Sequence, residues 1–363
     1  MNIAYIDAYH AGSHAAFSRG WSERSRHSFA FVTHPGSHWR WRMRHAGVTG
    51  ARAIADMHPS PDAIVATGMC PVAELRGHLP ARLRAVPLIL YMHEHQFDYP
   101  TPNRSDAHAV DNAHEAMTNI LGTLAADAVW WNSRYTLDTF LAGARSLLRR
   151  MPPPRMLERL DEIVPKSSVL PPGVDDALFE LSRSRGATPR LLWNARWEYD
   201  KGADIVAEAL TRCARRGVDF SVDLVGPTTA PTPEMLALRD ALGGRTNRFG
   251  HQPARDYRRS LAEADLVISG ARHEFFGIGV VEAVAAGAAP IVPRTLAYPE
   301  VLEDVSVLWH DGTAGGLAST IERACAGLST RGDAGNTGRD ALRRLAWSTR
   351  AHELDSALEA HTA

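Results

Sequence analysis

Short β-branched runs recur along this chain at the spacing of one helix, and that alternation restricts the fold more than any other feature. In the first half they stand near Asn2–Asp7, Phe29–Thr33, Ala63–Thr67, Pro87–Met92 and Ala128–Trp131. Segments long enough for helices separate them, which predicts a parallel sheet covered on both faces. The pattern weakens between Arg145 and Pro172, where Arg149-Arg-Met-Pro-Pro-Pro-Arg155 and Leu170-Pro-Pro-Gly173 interrupt it. It restarts with Arg190-Leu-Leu-Trp-Asn-Ala-Arg196 and continues near Ser221–Val225, Leu266–Ser269, Ala289–Val292 and Ser306–Trp309. The expected class is α/β, with two doubly wound Rossmann-like domains at 1–174 and 175–340. A terminal helical segment, 341–363, is expected to pack back toward the first. A chain of 363 residues, 45% of them hydrophobic, can bury two such cores.

A formal net charge of −1 argues against a general basic coat for nucleic acid, though local patches stay possible. No apolar run approaches a membrane span, and the chain enters its first strand with no charged leader, which points to a cytoplasmic protein. Cys70, Cys213 and Cys325 are isolated in sequence, so neither a disulfide framework nor a cysteine metal site is indicated. Lysine occurs only at 166 and 201, which singles out Lys201 in a chain that otherwise uses arginine.

Open parallel sheets bind ligands beyond the carboxyl ends of their strands, so the residues after each run are the site candidates. Gly270-Ala-Arg-His-Glu-Phe-Phe-Gly-Ile-Gly-Val-Val-Glu-Ala283 follows one such run and opens a helix. Free N–H groups at a helix start, with the helix dipole, suit an anionic or polar ligand. Gly277 and Gly279 keep the backbone open to it. Glu274 and Glu282 bracket the turn as hydroxyl acceptors, fitting a sugar at one end and a ribose at the other; an ordinary turn with two solvated glutamates would read the same. Arg196 and Lys201 can hold a diphosphate and stabilise it as it departs, or form a surface ion-pair set with Glu198 and Asp200.

In the first half, Ala8-Tyr-His-Ala-Gly-Ser-His14 offers Gly12 and Ser13 to a phosphate or acceptor, or is a plain turn capped by Ser13. His93 and His95, in Tyr91-Met-His-Glu-His-Gln96, stand two apart with no third ligand at a zinc spacing, so they suit sugar hydroxyls better than a metal. Asn132-Ser133 lies at the site's edge or caps the next helix. Ser37-His-Trp-Arg-Trp-Arg-Met-Arg44 combines guanidinium forks at Arg40, Arg42 and Arg44 with stacking planes at Trp39 and Trp41. That is the chemistry of phosphates and unstacked bases; an amphipathic helix with a solvated arginine face is the alternative.

These segments together, with Leu192-Trp-Asn-Ala-Arg-Trp-Glu-Tyr-Asp-Lys201, His273-Glu-Phe-Phe-Gly277 and Tyr298-Pro-Glu300, resemble the family of tRNA-queuosine alpha-mannosyltransferases, a branch of the retaining GT-B glycosyltransferases. Arg40, His95 and Ala195 depart from the family pattern, which favours His, Asn and His there. The resemblance implies transfer of mannose from GDP-mannose to the cyclopentenediol of queuosine in the anticodon of tRNA-Asp. It implies that Arg196 and Lys201 hold the diphosphate, Glu282 the donor ribose, and Glu274 with the amides of Phe275, Phe276 and Gly277 the donor sugar. His93 would touch the sugar or donor phosphate, and Gly12, Ser13 and His14 would line a central cleft faced by both domains. Arg196, Lys201, His93 and Glu274 are the catalytic candidates and Gly12 and Ser13 count with the donor-binding residues, while His14, Arg40, Arg42, Arg44, His95, Gln96 and Asn132 are the acceptor candidates.

Family precedent is retention, by front-face attack in which the leaving phosphate takes the acceptor proton. The chain has no Asp-x-Asp, so no metal and no cofactor beyond the donor is expected. A transferase for another donor or acceptor, or a non-catalytic nucleotide-sugar or RNA binder, remains open. The first βα turn lacks Gly-x-Gly-x-x-Gly, which disfavours a dinucleotide enzyme.

Overall fold

The computed structural model describes residues 1–97, 113–184, 186–227, 233–328 and 334–362. It divides into two compact units, one formed by the described residues up to Gly173 with those from Trp347 onward, the other by those from Val174 to Ala346.

The first unit runs β1 (Asn2–Asp7), α1 (Gly12–Ser22), β2 (Ser28–Thr33), α2 (Trp39–Ala55), β3 (Ala63–Thr67), α3 (Val72–His78), β4 (Leu88–Met92), α4 (Ala113–Ala125), β5 (Ala128–Trp131), α5 (Arg134–Arg150) and β6 (Ser167–Val169). Its strands form one parallel sheet in the order β2-β1-β3-β4-β5-β6. Period-two alternation sends Ala4 and Ile6 to one core, with Ala46, Ile54 and Leu75, and Ile3 and Tyr5 to the other, with Phe17 and Trp21. Because both faces are covered, β3, β4 and β5 are buried throughout and read as unbroken apolar runs.

The second unit runs β7 (Arg190–Asn194), α6 (Ala203–Arg215), β8 (Ser221–Val225), α7 (Pro233–Leu242), β9 (Thr246–Gly250), α8 (Ala254–Glu263), β10 (Leu266–Ile268), α9 (Ile278–Ala285), β11 (Ala289–Pro293), α10 (Tyr298–Val301), β12 (Leu308–His310), α11 (Ala314–Leu328) and α12 (Ala334–Leu342). Its parallel sheet has the order β12-β11-β10-β7-β8-β9. The chain then returns to the first unit as α13 (Trp347–Glu359). The helical segment expected at 341–363 begins instead at Trp347, after Ala346 turns extended and Val174 bridges it.

Helix α13 is fixed to the first unit by Asp355, which is 1% exposed. This carboxylate accepts hydrogen bonds from Trp21 Nε1 at 2.7 Å, Ser25 Oγ at 2.7 Å and the Arg26 amide at 2.9 Å. Leu354, Leu358 and Trp347 complete the packing against Phe17 and Trp21. Two strands escaped the sequence reading. Both β6, Ser-Ser-Val, and β9, Thr-Asn-Arg-Phe-Gly, are sheet edges, only partly covered, so they need no apolar run. No described helix is long and apolar enough to cross a membrane.

Candidate active site

In the second unit the loops leaving β7 and β10 are locked together. Gly202 has φ +65, and a Cβ there would lie 1.9 Å from the Gly270 carbonyl oxygen, so only glycine permits the approach. The Asp200 carbonyl accepts the amides of Arg272 and His273 at 2.9 and 3.1 Å. That seam is what brings Lys201 to Glu274, 73 residues away. Lys201 Nζ donates to Glu274 Oε2 at 2.9 Å and to the His273 carbonyl at 3.1 Å, and lies 3.5 Å from Asp200 Oδ2. Burial disfavours its charge, but Glu274 and Asp200 outweigh that and hold the ammonium above its ordinary pKa. Burial likewise raises Glu274, yet Lys201 more than reverses it, so this carboxylate sits below its usual range. Arg196 faces Glu198 at 2.7 Å and Asp200 at 3.3 Å.

Glu282 stands on α9 in a separate polar chain. The Tyr257 hydroxyl donates to Glu282 Oε2 at 2.5 Å, and Asn194 Nδ2, at the end of β7, donates to Tyr257 at 3.0 Å and to the Gly279 carbonyl at 2.8 Å. Burial pushes Glu282 up, with Tyr257 partly offsetting it. Gly277 enters α9 with φ +83 and no side-chain cap, and a Cβ there would lie 2.6 Å from Tyr298 Cε1. Phe275 and Phe276 are buried beneath this turn. Two cations, an uncapped helix start and two carboxylates held on separate supports suit a ligand with a diphosphate between polyol groups.

In the first unit a second charged cluster lies where β1 and β4 end. His14, 1% exposed, has Nδ1 3.3 Å from Asp7 Oδ1 and Nε2 3.2 Å from Glu94 Oε1. Thr67 Oγ1 and the Tyr9 amide also donate to Asp7, at 2.8 and 3.0 Å. Burial works against a charged His14, but Glu94 and Asp7 prevail and raise its pKa to about 10. Asp7 is correspondingly held far below its normal value, its own burial overcome by His14 and His10. His93 stacks on His14 at 4.0 Å between ring centres. Its burial, reinforced by the His14 charge, lowers it to about 3, so the ring is neutral, and its Nε2 has no partner among the described residues.

The other first-unit candidates divide sharply. Gly12 and Ser13 are exposed at the start of α1, whose cap position is Ala11; Ser13 lies inside the helix and does not cap it. Ser133, by contrast, caps α5 by accepting the Thr136 amide at 3.0 Å. His95 contacts Thr139 Oγ1 at 3.0 Å and accepts the Phe97 amide at 3.3 Å. Gln96 is buried, its amide held by Asn119 Oδ1 at 3.2 Å. Asn132 is also buried, donating to the His93 carbonyl at 2.6 Å and accepting from Thr136 Oγ1 at 2.6 Å, so it positions the residue before Glu94. Arg40, Arg42 and Arg44 lie along the outer part of α2.

Asp7, Glu94, Asn194 and Tyr257 were not singled out from sequence, whereas Asp200, named there as an ion-pair partner, lies 3.3 Å from Arg196 and 3.5 Å from Lys201. Asp7 and Asn194 had one usable signal: a polar residue closing a buried strand. Among the described residues no three His, Cys, Asp or Glu side chains are placed to share a metal ion.

The two parallel sheets and the paired loops define the class. The chain is a glycosyltransferase of the GT-B fold, and residues 176–341 match the family model for glycosyl transferases group 1. It belongs to the tRNA-queuosine alpha-mannosyltransferase family: residues 2–174 match the model for that family's N-terminal region. It is also 30% identical over 315 residues to the tRNA-queuosine alpha-mannosyltransferase of Drosophila melanogaster, covering 83% of this chain and 81% of the fly protein. Among solved structures it resembles a glycosyltransferase from Rickettsia africae, with TM-score 0.70, 16% identity and coverage of 99% of this chain and 98% of the other. Anabaena HepE in complex with UDP-glucose is similar too, at TM-score 0.69, 16% identity and coverage of 99% and 100%. At such identities these structures speak for the fold.

Proposed function

We propose that the protein transfers mannose from GDP-mannose to a cyclopentenediol hydroxyl of queuosine in tRNA-Asp, in the cytoplasm and with retention at the anomeric carbon. The observation that carries the donor side is the Lys201–Glu274 contact at 2.9 Å, beside Arg196 and next to the start of α9. A phosphate drawn to these groups would exchange Lys201 from its carboxylate partners, and the ammonium and Arg196 would offset the charge that grows on the leaving oxygen. Glu274, released from Lys201, would then accept hydroxyls of the donor sugar, and Glu282, aligned by Tyr257, the ribose hydroxyls. The bond from the anomeric carbon to the phosphate oxygen breaks while the acceptor oxygen bonds on the same face, and the acceptor proton passes to the departing phosphate.

From the first unit, a neutral His93 with an unpartnered nitrogen can accept a hydrogen bond from a donor-sugar hydroxyl, and Gly12 and Ser13 offer exposed backbone at a helix start to the donor phosphates. The family membership supports tRNA as acceptor; the exposed guanidinium groups of α2 suit its phosphates.

The test is mass spectrometry of nucleosides from queuosine-containing tRNA incubated with the purified protein and GDP-mannose. A product heavier than queuosine by one hexose is expected. Transfer only from another nucleotide sugar, or only to an acceptor other than tRNA, would contradict the reading.

A further inference from the structure

Helix α2 differs from its neighbours in what it shows to solvent. Its 17 residues include Arg40, Arg42, Arg44, Arg52 and His45 and no Asp or Glu, in a chain whose formal charge is −1. Its inward side is complete, since Met43, Ala46, Gly47, Gly50, Ala51 and Ile54 are all buried. Trp41 adds nothing to that packing, so the cost of leaving an indole in water needs another reason.

Trp41 is 68% exposed, the most exposed large apolar side chain among the described residues; Val164 follows at 50%. Its neighbour Trp39 is used differently. That ring packs on the core and is covered by the Arg40 guanidinium, 4.6 Å from its centre. Arg40 is further drawn to Glu115 at 3.5 Å, and Arg42 Nε holds the Ser37 carbonyl at 2.5 Å. Arg44 is exposed and makes no ion pair among the described residues. One helical turn beyond Trp41, Arg44 and His45 lie on the same side, with the His45 ring 5.5 Å from the Trp41 ring.

We propose that Trp41 is a stacking platform for an unpaired base of the RNA acceptor, with Arg44 set against the adjoining phosphates. This rests on the reading that the acceptor is a tRNA. The charge identifies a polyanion, and the bare indole face identifies one whose bases are not already stacked on both sides, which favours a single-stranded loop over a duplex. Arg42 holds the start of the helix in place, and Trp39, covered by Arg40, anchors it to the core.

The experiment measures binding of queuosine-containing tRNA, and of a tRNA-derived anticodon stem-loop, to the full chain and to Trp41→Ala, Trp41→Phe and Arg44→Ala, across a salt series. Stacking is worth about 1–3 kcal/mol per base, so Trp41→Ala should weaken binding about 5- to 150-fold, with Trp41→Phe recovering most of it. Arg44→Ala should lower the slope of log affinity against log salt by about one. The melting temperature of Trp41→Ala should stay at the wild-type value, because the ring lies outside the core. Equal tRNA affinity for wild type and Trp41→Ala would overturn the inference while leaving the acceptor reading intact. Unchanged RNA affinity with a changed molar mass in solution would do the same and make the patch a protein interface. A wild-type chain that binds no tRNA would defeat the acceptor reading itself.

Discussion

The two units use one architecture to make charge clusters of opposite temper. Each cluster sits where parallel strands end, and each couples a cation to two carboxylates. In the first unit, His14 and Asp7 are essentially sealed, at 1% and 0% exposure, and the adjoining His93 is forced neutral. In the second, Lys201 and Arg196 keep 17% and 37% of their side-chain surface, so an incoming anion can compete for them. Accessibility, more than composition, separates a cation that holds a framework from one that can be handed to a ligand.

Breaking the sealed cluster should produce the largest effect. Asp7→Asn leaves a buried imidazolium short of one partner, and removing one member of a buried pair costs about 3–5 kcal/mol. Denaturant unfolding followed in the full chain should show that loss; a change below about 1 kcal/mol would mean that His14 needs no fixed counter-charge. Lys201→Ala, in the open cluster, should leave the fold standing and lower kcat/KM about 10²- to 10³-fold, the usual result of deleting one group that stabilises developing negative charge. Steady-state assays at varied GDP-mannose would read this, and an undiminished kcat/KM would remove Lys201 from the reaction.

These two residues also show what sequence could reveal. Lys201 and Glu274 were legible because each follows a buried run and opens a helix, so local pattern places both at one sheet end. His14 was a candidate too, but its pairing with Asp7 and Glu94 was not legible, because His14 and Glu94 are 80 residues apart and only the strand order, with β3 between β1 and β4, sets them side by side. The orientation of Trp41 was hidden for a different reason. Tryptophan and arginine alternate at 39–42, and the 3.6-residue period leaves open which ring faces inward until the register of α2 on its sheet is known. Most strands were plain; β6 and β9, at the edges, lacked the apolar signature that burial on two faces demands.

A pH series sharpens the contrast between the clusters. The raised His14 contributes stability that is complete below its ordinary value of 6.5 and fades as pH climbs through about 10. His93 is lowered from 6.5 to about 3, so between those values the unfolded chain takes up a proton that the folded chain refuses, and stability falls as pH drops. Between pH 7 and 5.5 that should cost about 1–2 kcal/mol. In His93→Gln that fall should vanish or reverse, leaving the opposite slope of His14; the same pH dependence in both proteins would show that His93 does not titrate this way. The smallest effect belongs to the support under Glu282. Tyr257→Phe deletes two hydrogen bonds, to Glu282 and from Asn194; loss of the one to Glu282, worth about 1 kcal/mol, should raise KM for the donor about fivefold with kcat little changed. A fall in kcat alone would place Tyr257 elsewhere in the cycle.

The central claim is that Arg196 and Lys201 are the grip for a diphosphate. Calorimetric titration with GDP and with guanosine tests it most directly, on the wild-type chain and on an Arg196→Gln/Lys201→Met variant. GDP should bind the wild type far more tightly than guanosine does, and the double substitution should erase most of that difference while leaving guanosine affinity nearly as it was. If GDP keeps its full advantage over guanosine in the variant, the diphosphate is held by other groups and the account is wrong.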